Sequence, residues 1–341
     1  RLLLGSFAVS LMPCTKYQSS QEYRLFAAVS CSALETKLPE AMRLSAEILT
    51  ETDFSDKARL LELIRQLRES VQQQIVGSGS SFAMIRACAA LSPASACTEL
   101  CGGIAYYHDG TVRGLVQTAA EAGIELSVVM PIATKESQNT TINTWAAEVQ
   151  AENDSLLCFG TVYPFTADYK AVVAQIAALG LKGVKFHPEY QSFRIDDKAV
   201  YPLYEEIAKA GLPMLFHTGG DVAYKPPFHA EPDAVYRMAT DFAGAQIIAA
   251  HVGGYEFWDE AAELLPATGI YVDLAASAEQ LRGEHLRRII EKWGSERVLF
   301  ATDSPWFPQK AGIDALYSAG LSAEAYENIF HRNAERLLKL V

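Results

Sequence analysis

Histidine is absent from the first 107 residues of this 341-residue chain, and tryptophan is absent before Trp145. That excludes a histidine-built zinc site from the first third. No H-x-H pair occurs anywhere among the seven histidines. No apolar run reaches the roughly 18 residues of a membrane span. There is no G-x-x-x-x-G-K-[ST] and no strand-linked G-x-G-x-x-G; Gly219-Gly220 and Gly253-Gly254 imitate a phosphate loop only weakly. Cysteines number six, and five of them (Cys14, Cys31, Cys88, Cys97 and Cys101) precede residue 108. Cys97 and Cys101 are spaced C-x3-C without a nearby histidine, so the set reads as thiols in a reducing cytoplasm. The net charge of −12 argues against nucleic acid or an anionic membrane as partner. A small-molecule substrate is left, with a homo-oligomer open.

What is present is unevenly distributed. Residues 1–107 carry ten basic and ten acidic side chains, so the negative charge belongs wholly to the rest. Two segments are therefore expected, 1–107 and 108–341, joined near Tyr106–Asp109. With Arg1 in place of a methionine, the chain is expected to lack its start. The opening RLLLGSFAVSLMPC loosely imitates a secretion signal, but Phe7, Val9 and Leu11 alternate as in a strand, and Pro13 before Cys14 suits cleavage poorly. Strands are predicted over 2–12 and 23–31, the second with Tyr23, Leu25, Ala27 and Val29 on one face. A helix is predicted over Lys37–Thr50, with Leu38, Met42, Leu44 and Ile48 apolar. A longer one runs from Ser55 to Val76 and is ended by the GSGS at 77–80.

The second segment repeats one unit. ELSVVMPIA, LLCFGTVYP, Gly183–Phe186, Pro213–Phe216, IIAAH, IYVDLA and VLFATD read as buried strands. Helices are predicted between them, several stopped by glycine (Gly123, Gly180, Gly211). Seven strands each followed by a helix make an α/β fold, a (β/α) barrel one strand short. His187, His217, His251, Asp273 and Asp303 end successive runs, about 20–35 residues apart, the length of one βα unit. Polar, ligand-capable residues at strand ends mark the catalytic face of a barrel. Each has an ordinary alternative. His217 suits a hydrogen-bonded core histidine and His187-Pro188 a turn. Asp303 suits a helix cap, Asp273 a loop cap, and Trp258 and Trp306 packing. Trp306 is the better pocket candidate because it follows Asp303. His108, His229, His285 and His331 read as surface or helix residues.

The stretch LPEAMRLSAEILTETDFSDKARLLELIRQLRESVQQQIVGSGSSFAMIRACAALSPASA resembles the C-terminal half of presequence proteases, which are insulinase-like zinc peptidases. That family keeps its zinc on an H-x-x-E-H helix in the other half. The resemblance implies a non-catalytic α+β fragment for residues 1–107. FHTGGD, AAHVGGYEFWDEA, YVDLAAS, RVLFATDSPW and NAERLL are similar to the amidohydrolase-related family over essentially all of 108–341. This second resemblance implies a metal-dependent TIM-barrel hydrolase of a small carbonyl, amide or ester compound, with decarboxylases in some branches. It assigns His217 to the metal, His251 to orienting or deprotonating the water, and Asp303 to the metal and a proton. It implies a divalent metal, zinc or manganese. His187 and Trp306 are expected to line the substrate pocket. The family's H-x-H strand, with two further ligands, has no counterpart here. An active hydrolase, a decarboxylase with the same site and an inactive fusion product all stay open. A closed barrel has no edges, and losing a strand exposes two, unless an N-terminal strand such as Tyr23–Cys31 fills the gap.

Overall fold

Alternating apolar residues build β1 (Ser6–Thr15) and β2 (Tyr23–Ser32), an antiparallel pair. In their register Val9 lies opposite Val29 and Leu11 opposite Ala27. This computed structural model describes residues 6–15, 23–32, 37–51, 55, 57, 110–221 and 223–340. The chain divides into two compact units, Arg1–Ala105 and Tyr106–Val341. Within the first, β1 and β2 form a two-stranded sheet of their own. Helix α1 (Leu38–Glu51) carries Glu40 in its first turn, where the helix dipole favours a carboxylate. Among its described side chains Ala41 and Ser45 are buried, whereas Met42 is 64% exposed. Met42 and Ile48, expected on the apolar face, are exposed, and Ser45 donates to the Ala41 carbonyl. The expected helix over 55–76, Cys88, Cys97, Cys101 and His108 lie outside the described residues.

In the second unit, strands and helices alternate. The order is α2 (Val112–Glu121), β3 (Ser127–Val129), α3 (Asn139–Glu152), β4 (Leu156–Cys158), β5 (Gly160–Thr161), α4 (Tyr169–Ala178), β6 (Val184–Phe186) and α5 (Tyr201–Lys209). Then come β7 (Met214–Phe216), α6 (Pro232–Asp241), β8 (Ile247–Ala249), α7 (Trp258–Leu264), β9 (Tyr271–Asp273), α8 (Ala278–Leu281), α9 (Gly283–Trp293) and β10 (Val298–Leu299). The C-terminal part adds α10 (Gln309–Ser318), α11 (Ala323–Glu327) and α12 (Asn333–Leu337). Caps fix several boundaries. Thr111 accepts from the Gly114 amide at the start of α2, and Asp168 from that of Ala171 at the start of α4. Sequence periodicity missed α10, which opens after Pro308, and did not anticipate the π-helical turn Asn328–Arg332 between α11 and α12.

All pairings in this unit are parallel. β5 through β10 lie in sequence order, and β3 pairs with β4. Phe159 alone separates β4 from β5, and its amide donates to the Val129 carbonyl (2.9 Å). The run 156–161 is thus one strand shared by β3 and β6. The result is a seven-strand parallel arc. Among the described residues β3 and β10 pair with no partner on their outer sides, as a barrel one strand short requires.

Two-residue alternation divides each strand between two cores. Val184, Phe186, Met214, Phe216, Ile247, Ala249, Val272 and Val298 face the helices. Leu215, Ile248 and Leu299 face inward with Phe159, and Leu337 at the end of α12 and Leu338 just after it join them. Asn333 donates to the Ser295 and Val298 carbonyls and so pins α12 beneath β10. The outer core is aromatic where the site is built. Phe186 stacks on Phe216 at 5.1 Å, and Tyr204 meets both edge-on. Side chains of this size bury for about 1.5–3 kcal/mol each, which fixes β6 against β7.

Candidate active site

Pairing of Phe186 with Phe216 brings the next residues of their strands side by side. His187 and His217 stack at 4.0 Å with 10° between the rings. Tyr190 covers the other face of His187 at 3.7 Å. The loop after β6 is closed by Gln191, which accepts from the His187 amide and donates to the Ala133 and Val162 carbonyls. His217 and His251 are tied through their loops. The Thr218 hydroxyl donates to the Ala250 carbonyl, Tyr255 N donates to Thr218 O, and Gly220 N to Tyr255 O. Gly219, at φ +81°, permits this zipper, since a Cβ there would meet Tyr255 N at 2.1 Å. The two double-glycine loops thus bind each other.

His251 and Val252 both adopt positive φ, 59° and 61°, which is strained for side chains of this kind. Asp273 holds the turn. Its Oδ1 accepts from the His251 amide at 2.9 Å and the Ala275 amide at 3.0 Å. Asp273 therefore acts as a loop cap beneath His251. Burial pushes its carboxyl above the usual range, with His251 and Lys185 opposing.

Three contacts run through the two linked imidazoles. His251 Nδ1 lies 2.9 Å from the Ala275 carbonyl, its Nε2 lies 2.9 Å from His217 Nδ1, and His217 Nε2 lies 3.1 Å from the Gly220 carbonyl. Filling all three takes three protons, one more than a pair of neutral imidazoles carries. Burial, His187, His251 and Lys185 hold His217 well below the usual imidazole range, with Asp221 opposing. The ring is therefore neutral near pH 7. Assigning Nδ1–H to both rings satisfies the first two contacts and leaves the His217 Nε2 lone pair facing the Gly220 oxygen. Two lone pairs facing each other suit a cation.

The same place gathers further donors. Asp221 Oδ2 lies 4.0 Å from His217 Nε2 and 3.4 Å from His187 Nε2. All three ligand atoms fall within 4.8 Å of one another. Donors around a tetrahedral zinc stand about 3.3 Å apart, so a small contraction suffices. Burial, Lys185 and His251 keep His187 neutral as well. The Tyr190 amide points at His187 Nδ1 (3.4 Å), which favours a proton on Nε2 shared with Asp221. Binding an ion through Nε2 exchanges that proton for the metal and splays the stacked rings. The donor set, two neutral imidazoles, a carboxylate and a backbone carbonyl, fits a divalent cation.

The other expected residues are placed differently. Asp303 follows β10 at φ +64° and is exposed, outside the three-donor cluster. Its carbonyl accepts from the Trp306 amide, and Trp306 is 43% exposed. The Asp303 charge still acts on Lys185 and Tyr190. His229 is half-buried and pairs with buried Glu189 (2.7 Å). His285 and His331 are exposed on helices, as expected. Two residues escaped the sequence reading. Asp221 lay four places after His217 in a loop. Lys185 lay inside an apolar run, but the two-residue period puts it on the face of His187.

A parallel βα arc with ligand-capable residues at its strand ends is a TIM-barrel fold one strand short. Residues 103–340 match the Amidohydrolase family, and the chain belongs to that family. Residues 1–109 match a second family, described as peptidase associated. The mitochondrial presequence protease of Xenopus tropicalis is 31% identical over 103 residues, 30% of this chain. The chain spans about a tenth of the length of the curated relatives it matches. A TIM-barrel protein of Bordetella bronchiseptica, described as uncharacterized, superposes with a TM-score of 0.56 at 22% identity, covering 67% of this chain and 83% of its own. The 5-carboxyvanillate decarboxylase of Novosphingobium aromaticivorans, complexed with manganese and 4-hydroxy-3-methoxy-5-nitrobenzoic acid, gives a TM-score of 0.55 at 16% identity, with 67% and 80% covered. At these identities the likeness is one of fold.

Proposed function

We propose that residues 108–341 act as a metal-dependent hydrolase on a small carbonyl, amide or ester compound. The observation that carries this reading is the convergence of His187, His217 and Asp221 at adjacent strand ends. These three, with the Gly220 carbonyl, would hold a zinc or manganese ion. Such an ion polarises a carbonyl and acidifies water. His217 and His187 stay neutral and keep their lone pairs. His251 accepts from His217 Nδ1 through its Nε2 and so fixes the tautomer that leaves His217 Nε2 free for the ion. Asp303, exposed after β10, is the carboxylate assigned to the proton of the attacking water and to a remaining ligand position. Tyr190, stacked on His187, would shield a bound substrate from water, and Trp306 is assigned to the same pocket because it follows Asp303. A cytoplasmic location belongs to this reading and rests on thiol usage. Among the described residues no helix is long and apolar enough to cross a membrane.

Decarboxylation is the second reading, favoured by the manganese-bound decarboxylase of like fold. The test uses the full chain dialysed against metal-free buffer, followed by elemental analysis. It is then assayed with 4-nitrophenyl esters, anilides and aromatic acids, with and without added zinc or manganese. One retained ion per chain and metal-dependent release of nitrophenol or aniline support hydrolysis. Metal-dependent release of carbon dioxide alone selects the second reading. No ion retained or regained makes the unit an inactive fusion partner.

A further inference from the structure

We infer that Lys185 is an anion-binding residue at the floor of the site, holding a carboxylate of the substrate that does not itself react. The inference rests on the location of the site proposed above, but not on any metal being bound. Val184 and Phe186 belong to the outer core, so the Lys185 side chain lies on the inner face, beside Leu215 on β7. Lys185 is 9% exposed. Among the described residues its ammonium makes no hydrogen bond and no ion pair. Its tip is not among the sealed, unsatisfied polar atoms of the described residues, so the ammonium is open to solvent and an anion arriving there takes the place of water. The neighbouring carboxylates do not pair with it. Asp273 accepts the His251 and Ala275 amides on Oδ1, and both Asp273 and Asp303 act on Lys185 through their charge without an ion-pair contact, against the burial that draws the ammonium down.

The position also sets the size of the ligand. Lys185 lies two residues before His187 on one strand, about 6–7 Å along the chain. An anion paired with its ammonium would sit beneath the His187–His217–Asp221 cluster. The reacting carbon would then lie one ring-width or a few methylenes from a carboxylate. A small aromatic or short-chain acid fits that span, and a neutral molecule would leave the ammonium unpaired. Discrimination by such a group is large, because the penalty falls on the wrong ligand.

Isothermal titration of metal-free full-length protein with benzoate and with benzamide tests this. The expected result is benzoate binding at least tenfold tighter than benzamide. Lys185→Met should weaken benzoate at least tenfold and leave benzamide unchanged, while its melting temperature holds or rises. Asp221→Asn should leave benzoate binding in place. Equal binding of benzoate and benzamide by the wild-type protein would overturn the inference, whether or not the variant folds. So would benzoate binding that appears only after zinc is added and survives Lys185→Met, since the carboxylate would then sit on the metal. Metal content, measured separately, reports on the proposed hydrolase reading and leaves the metal-free titration unaffected.

Discussion

At the ends of β6, β7 and β8 the polar side chains are buried and held from several directions. At the end of β10 they are exposed and aimed by a turn. His187, His217 and His251 are 6%, 8% and 5% exposed, locked by stacking, by a ring-to-ring hydrogen bond and by Asp273 below. Asp303 and Trp306 share one backbone hydrogen bond across a tight turn. The difference separates two tasks. A cation site needs donors whose protonation and direction are set before the ion arrives. A group that exchanges protons with water needs access. The buried quarter suits the first task and the β10 quarter the second.

Substitutions can break that division. His217→Ala strikes the buried quarter hardest. It should abolish metal retention and cost about 2–4 kcal/mol of stability, by opening a cavity and stranding the His251 and Gly220 contacts. Metal analysis and thermal denaturation check both. Asp303→Asn should lower turnover by about 10²–10⁴-fold while stability moves by less than about 0.5 kcal/mol. Unchanged turnover would remove Asp303 from the chemistry. His251→Gln should weaken metal affinity by about 10–100-fold, the usual cost of losing the group that orients a ligand.

Acid offers a gentler way to sharpen the comparison. Both cluster histidines titrate well below the ordinary range in the folded, metal-free protein. The unfolded chain takes up their protons near pH 6.5, before the folded chain does. Stability should therefore be full above about pH 6.5 and fall below it, by up to about 1.4 kcal/mol per pH unit for each histidine. Denaturant melts between pH 8 and 5 measure the slope. His187→Phe should make it shallower, because a stacked ring without a titrating group replaces one that must stay neutral.

Much of this was written locally. Val112, Leu115, Val116 and Ala119 recur at helical spacing before Gly123, and α9 spans Gly283–Trp293 as read. His187, His217 and His251 were visible because each ends an apolar run, and the parallel register brought them together. Asp221 was not legible, because a loop residue reaches its neighbour through the Gly219 turn and not by periodicity. Lys185 was hidden by the valine and phenylalanine beside it. The outward aim of Asp303 depends on a positive φ that sequence does not display. In α1 the apolar count pointed to Met42, which is exposed, while Ala41 and Ser45 are buried.

Metal content of the wild-type chain and of Asp221→Asn, measured side by side after metal-free dialysis and zinc or manganese titration, tests the central claim most directly. The account predicts about one ion per wild-type chain and at least tenfold weaker binding in the variant, with the fold intact by circular dichroism. Equal metal content in the two proteins, or none in the wild type, would contradict it.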